Sequence, residues 1–73
     1  MASLRVLSGR EACRILQSHG FSEARRKGSH IAMQKRVGGA TVTVIVPDHK
    51  ELRIGTLQSV IRQSGLPRAL FES

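Results

Sequence analysis

His30-Ile31-Ala32-Met33-Gln34-Lys35-Arg36-Val37-Gly38-Gly39-Ala40-Thr41-Val42-Thr43-Val44-Ile45-Val46-Pro47 is the stretch that decides the fold. Gly38-Gly39 is a hairpin signal, and Thr41 to Val46 is the most β-prone run in the chain. With the turn at the two glycines, Lys35 faces Val42, Met33 faces Val44 and Ile31 faces Val46. Side chains alternate with period two, so these pairs share one side of a sheet. Arg36 with Thr41, Gln34 with Thr43, Ala32 with Ile45 and His30 with Pro47 take the other. One face is apolar and the other mostly polar. That pattern predicts helices on a single side and places His30 at one end of the open face. Pro47 ends the strand because it has no N–H for the ladder.

Upstream, Phe21 to Arg26 is a strand candidate with poor alternation, followed by a turn at Gly28. Ser8-Gly9-Arg10-Glu11 reads as a capping box, and Ala12, Ile15, Leu16 and His19 continue it as one stripe of a helix. Gly20 ends that helix, with Phe21 placed to pack against Leu16 in a Schellman motif. Downstream, residues 48–55 form a polar connection and Thr56 is positioned to cap a second helix. Its stripe is Leu57, Val60, Ile61 and Ser64, closed by Gly65 with Leu66 against Ile61. Pro67 opens a short third helical turn through Arg68 to Phe71, with Phe71 assigned to the tail. The order is α-β-β-β-α, an α+β class, expected as one domain over residues 1–73. No internal repeat, linker or low-complexity segment interrupts it.

Composition narrows the function. A chain of 73 residues removes only about 60% of its unfolded surface from water, so it has room for one small core. Two-domain dehydrogenases and barrel enzymes are excluded. The balance of 12 Lys+Arg against 5 Asp+Glu, a net charge of +7, suits a polyanionic partner, nucleic acid foremost. The single cysteine, Cys13, precludes an internal disulfide and suits a reducing compartment. Met1 to Leu7 lacks the apolar stretch of a signal peptide, and no run reaches membrane-spanning length. These features predict a cytoplasmic protein with no membrane partner.

Few residues are equipped for chemistry. Cys13 falls beside the buried stripe of the first helix and reads as a packing residue. The acids Asp48 and Glu51 alternate with Lys50 and Arg53, which reads as surface salt bridging. No carboxylate cluster or His/Cys spacing suggests a metal or other cofactor. His19 sits at a helix end, where a cation complements the dipole. His49, in the loop after Pro47, suits structure or phosphate contact better than catalysis. With two Phe and neither Tyr nor Trp there is no base-stacking platform, so affinity is expected from Arg and Lys on the phosphate backbone.

His30 differs from the other histidines. It follows Arg25-Arg26-Lys27 and Gly28-Ser29, at the start of a strand on the open face. A histidine there suits removal of the proton from a ribose 2′-hydroxyl, so that the oxygen attacks the adjacent phosphorus. The neighbouring cations favour the neutral imidazole and stabilise the charge of the phosphorane. Gly28 lets the backbone approach a phosphate, and the Ser29 hydroxyl can donate to a non-bridging oxygen. From these residues alone two readings stand: a general base, or a turn followed by an exposed strand histidine.

Ser8-Gly9-Arg10-Glu11, Leu16, Gly20-Phe21, Arg25, Gly28-Ser29-His30, Pro47-Asp48-His49, Glu51-Leu52, Gly55-Thr56-Leu57 and Gly65-Leu66, in that order, resemble the HicA toxins of bacterial type II toxin–antitoxin systems. The resemblance implies a double-stranded-RNA-binding-domain-like α-β-β-β-α fold, with a three-stranded antiparallel sheet and helices on one face. It implies an mRNA interferase that arrests translation by cleaving transcripts, with His30 as the catalytic residue and a HicB-like antitoxin as partner. The lack of a carboxylate or His/Cys cluster predicts that His30 acts as a general base without a metal. Under this reading Gly28 and Ser29 support His30, while Arg25, Arg26, Lys27, Lys35, Arg36, His49 and Lys50 contact RNA. The competing reading is a non-catalytic RNA-binding module of the same fold, for which Gly28-Ser29-His30 is incidental.

Overall fold

A computed structural model describes residues 2–73; Met1, the first residue of the stretch read for a leader, lies outside it. The chain runs α1 (Gly9–Ser18), β1 (Ser22–Lys27), β2 (His30–Val37), β3 (Ala40–Pro47), α2 (Ile54–Ser64) and a closing 3-10 turn (Arg68–Phe71). The strands form an antiparallel sheet in the order β1-β2-β3. This is the expected α+β architecture.

The hairpin β2–β3 has the register read from the sequence: Ile31 pairs with Val46, Met33 with Val44, Lys35 with Val42, and His30 with Pro47. Ile31, Met33, Val44 and Val46 are buried and pack with Ala12 and Leu16 of α1, Leu57 and Val60 of α2, and Leu7, Phe21, Leu52 and Phe71. Burial of such side chains contributes about 1.5–3 kcal/mol each, and it supplies the main drive for a chain this small.

β1 spans Ser22–Lys27, one residue later than its candidate segment, and all six of its residues are exposed. The weak alternation has a structural cause. The pairing with β2 slips between Glu23 and Arg25, a bulge at Ala24. A charged, bulged edge strand is a poor template for another chain. On the opposite edge the Ile45 amide of β3 donates to Gln63 Oε1 of α2 at 3.1 Å.

α1 begins with the capping box, in which the Glu11 amide donates to Ser8 Oγ at 3.0 Å and the Ser8 amide to Glu11 Oε1 at 2.8 Å. It ends in the Schellman pair, with the Phe21 amide on the Leu16 carbonyl and the Gly20 amide on that of Gln17. Three expectations are corrected. α2 starts at Ile54 with Arg53 as its cap residue, so Thr56 lies inside the first turn. Ile54 and Gly55 are exposed, and water can serve the first amides without a side-chain cap. At the other end of α2 the Leu66 amide donates to Ser64 Oγ, whose hydroxyl donates to the Ile61 carbonyl. Gly65 closes α2 in the left-handed conformation as expected, and Ser64 replaces only the longer Schellman bond. Finally, Phe71 belongs to the core, with 0% of its surface exposed. The terminal segments pair around it: the Arg5 amide donates to the Phe71 carbonyl, the Ser73 amide to that of Ser3, and Leu4 bridges Glu72.

Candidate active site

Three cross-strand rows build the open face. Lys27, His30 and Pro47 form the first, Arg25, Ala32 and Ile45 the second, and Ser22, Gln34 and Thr43 the third. Arg36 and Thr41 extend it beyond the end of β1. His30, Lys27, Arg25 and Arg36 are all exposed, so an imidazole and three cations share one solvent-facing surface. Among the described residues, the His30 ring has no hydrogen-bond partner.

The turn Gly28-Ser29 joins β1 to β2, with Lys27 paired to His30 across it. Gly28 has φ +58°, a conformation that costs other residues roughly 1–2 kcal/mol. Both turn carbonyls are tied down. The Ser29 carbonyl accepts from the Asp48 amide at 2.6 Å, and the Gly28 carbonyl from Arg26 Nε at 3.2 Å. Arg26 Nη2 also reaches Asp48 Oδ2 at 2.5 Å, and Arg10 Nη2 meets the same oxygen at 3.3 Å. The Arg26 hydrogen bond holds the Asp48 carboxyl below its ordinary value, against a smaller opposing effect of burial. Asp48 therefore pairs with distant Arg10 and Arg26, not with Lys50 or Arg53 nearby in sequence.

The end of β3 that carries Asp48 is itself clamped. The Gly9 amide donates to the His49 carbonyl at 2.8 Å, and a Cβ at Gly9 would run into the Pro47 carbonyl oxygen. His49 and Lys50 are exposed on the loop beyond this end of the sheet.

Two of the candidate RNA contacts lie apart from this surface. Arg26 pairs with Ile31 and so belongs to the helix-covered side, where it meets Asp48. Lys35 is on that side as well. Its ammonium donates to the His19 carbonyl at 2.9 Å and lies 5.8 Å from the Phe21 ring centroid. It closes the negative end of α1. His19 is turned back on the same helix, its Nδ1 3.0 Å from the Ile15 carbonyl. Cys13 is buried, and desolvation pushes its thiol pKa up, away from the reactive form. Among the described residues, no group of three or more His, Cys, Asp or Glu side chains is gathered to hold a metal ion. No described helix is long and apolar enough to cross a membrane.

An α+β sheet with one covered face and one basic, histidine-bearing face thus defines the class of the protein. The family model of the HicA toxin of bacterial toxin–antitoxin systems matches residues 9–66, and the chain belongs to that family. It is therefore a toxin of a toxin–antitoxin system, a membership that implies an antitoxin partner and RNA as the class of substrate. No curated protein matches the chain.

Proposed function

We propose that this toxin is a metal-independent endoribonuclease, an mRNA interferase acting in the bacterial cytoplasm, with His30 as its general base. The observation that carries the reading is the placement of His30: uncovered, in one row with Lys27, directly after a turn whose carbonyls are both held. The imidazole takes the proton of a ribose 2′-hydroxyl, and the oxygen attacks the adjacent phosphorus. The P–O5′ bond breaks, leaving a 2′,3′-cyclic phosphate and a 5′-hydroxyl end once the leaving oxygen is protonated. Lys27 and Arg25 face the charge that builds on the phosphorane oxygens. Arg36 lies six residues along β2 from His30, roughly 20 Å at ~3.3 Å per residue, and would hold the strand beyond the scissile bond. Lys50 and His49 flank the other end. Gly28 leaves room for a phosphate and the Ser29 hydroxyl donates to it. A HicB-like antitoxin with an acidic surface would neutralise the toxin by covering this basic face.

Incubation with a defined RNA, with and without EDTA, followed by end-group analysis, tests the chemistry. Cyclic or 3′-phosphate ends in both conditions are expected. Activity lost in EDTA and restored by magnesium would overturn the mechanism, and RNA bound but uncut would favour the non-catalytic module.

A further inference from the structure

The base of such a site must reach its proton within about 2.6–3.2 Å, yet the His30 ring is exposed and, among the described residues, no hydrogen bond orients it. Its aim is therefore set by the main chain on which it hangs. That main chain is the first residue of the central strand β2, where the turn Gly28-Ser29 joins it to β1, an edge strand whose ladder is interrupted by the bulge at Ala24. Both carbonyls of the turn lead back to one residue. Asp48 holds the Ser29 carbonyl through its amide, and through its carboxylate it holds Arg26, which in turn holds the Gly28 carbonyl.

We propose that Asp48 is a positioning residue of the His30 site, an inference that rests on the reading of His30 as the base. Asp48 itself has little freedom: its side chain is only 16% exposed, Arg10 holds the same carboxylate oxygen, and Gly9 is bonded to the next carbonyl along the chain. The Asp48 carboxylate lies on the covered side with Arg26, yet its negative charge still lowers the positive potential that a protein of net charge +7 offers a polyanion. Positioning and electrostatics therefore predict opposite signs. Removing the charge should strengthen RNA binding while it slows the chemistry.

The experiment is Asp48→Asn in the full chain, with Arg26→Gln as the second variant. Both remove the side-chain arm and leave the Asp48 amide bond in place. For Asp48→Asn, kcat is expected to fall about tenfold, short of the ~10²-fold that a 1 Å misplacement costs, with KM unchanged or lower. Arg26→Gln should lower kcat similarly, and the double variant should be no worse than either single one. The readout independent of cleavage is the backbone amide order parameters of Gly28, Ser29 and His30. They should drop in both variants while those of Gly38 and Gly39 stay as in the parent. Unchanged kcat and unchanged order parameters would overturn the assignment, as would a general loosening of all three strands with a raised KM. If the parent cuts no RNA, the reading of His30 fails, and Asp48 as anchor of the turn stands or falls on the order parameters alone. Should Asp48→Asn fail to fold, Arg26→Gln carries the same comparison, because Arg26 is exposed on β1.

Discussion

The sheet contains two tight turns built alike and held differently. Gly28-Ser29 and Gly38-Gly39 each join antiparallel neighbours through two residues, and Gly28 and Gly38 have nearly the same φ, +58° and +60°. Each glycine has open space where a Cβ would stand. Gly38-Gly39 projects from the hairpin as a connection, with its shape set by local backbone preference. Gly28-Ser29 is bonded to the chain at Asp48, 19 positions beyond Ser29, and carries the histidine of the open face. Local chemistry suffices to make a turn. Long-range bonds are what make one turn a platform.

The largest effect should come from removing what the platform carries. His30→Ala should lower RNA cleavage by at least ~10²-fold, the contribution of a general base, while stability changes by less than ~0.5 kcal/mol, as at an exposed site. Single-turnover cleavage and denaturant melts measure the two. His49→Ala should cost less activity. If His30→Ala unfolds the chain, the residue is structural and the contrast between the turns loses its functional meaning.

Gly28→Ala and Gly38→Ala sharpen the comparison. Both place a side chain at positive φ, so both should lose about 1–2 kcal/mol in urea unfolding. Only Gly28→Ala should also reduce kcat, through the displaced turn. Equal activities in the two variants would show that the anchored turn has no special part in cleavage.

A smaller effect separates the two faces of the sheet. Removing charge at Arg25, Lys27 or Arg36 should lower the log–log salt slope of RNA binding by roughly one unit per phosphate contact. Lys35→Met should leave that slope alone and destabilise α1 by about 1 kcal/mol, since its ammonium is bonded to the His19 carbonyl. A slope change for Lys35→Met would move the RNA onto the covered side.

The smallest effect is one of pH. Asp48 and Glu11 both have lowered pKa values, Asp48 chiefly through its hydrogen bond from Arg26 and Glu11 chiefly through that from the Ser8 backbone. A carboxylate depressed on folding contributes stability that is present above its unfolded value and is lost as pH falls through the folded one. Acid unfolding should therefore begin below about pH 4–5, where carboxylates protonate. In the parent, Ser29 and His30 amide exchange should rise in that range before exchange at Gly38 changes. Simultaneous changes would show that Asp48 does not hold its turn separately.

Much of this was legible in the sequence because it is local. The capping box at Ser8 and Glu11, the Schellman end at Gly20 and Phe21, and the β2–β3 register are each fixed by residues within one element or one hairpin. The parity of that register alone placed His30 on the open face and Lys35 on the covered one. What escaped depends on distance along the chain. Phe71 reads as tail because nothing near it shows that Leu4, Arg5 and Ser3 pair with the same segment. Asp48 reads as one surface charge among several because its partners, Arg10 and Arg26, are far upstream. Thr56 is a good cap residue by type, but α2 had already begun at Ile54.

The burial of Phe71 also has a temporal side. Synthesis runs from the amino end, so the hairpin bearing His30 is complete while Phe71 and the strand-like pairing of Leu4 with Glu72 do not yet exist. A nascent chain halted anywhere before Phe71 would present the open face of the sheet on an unfinished core. The two ends of the sequence, far apart along the chain, thus close the core together, and neither closes it alone.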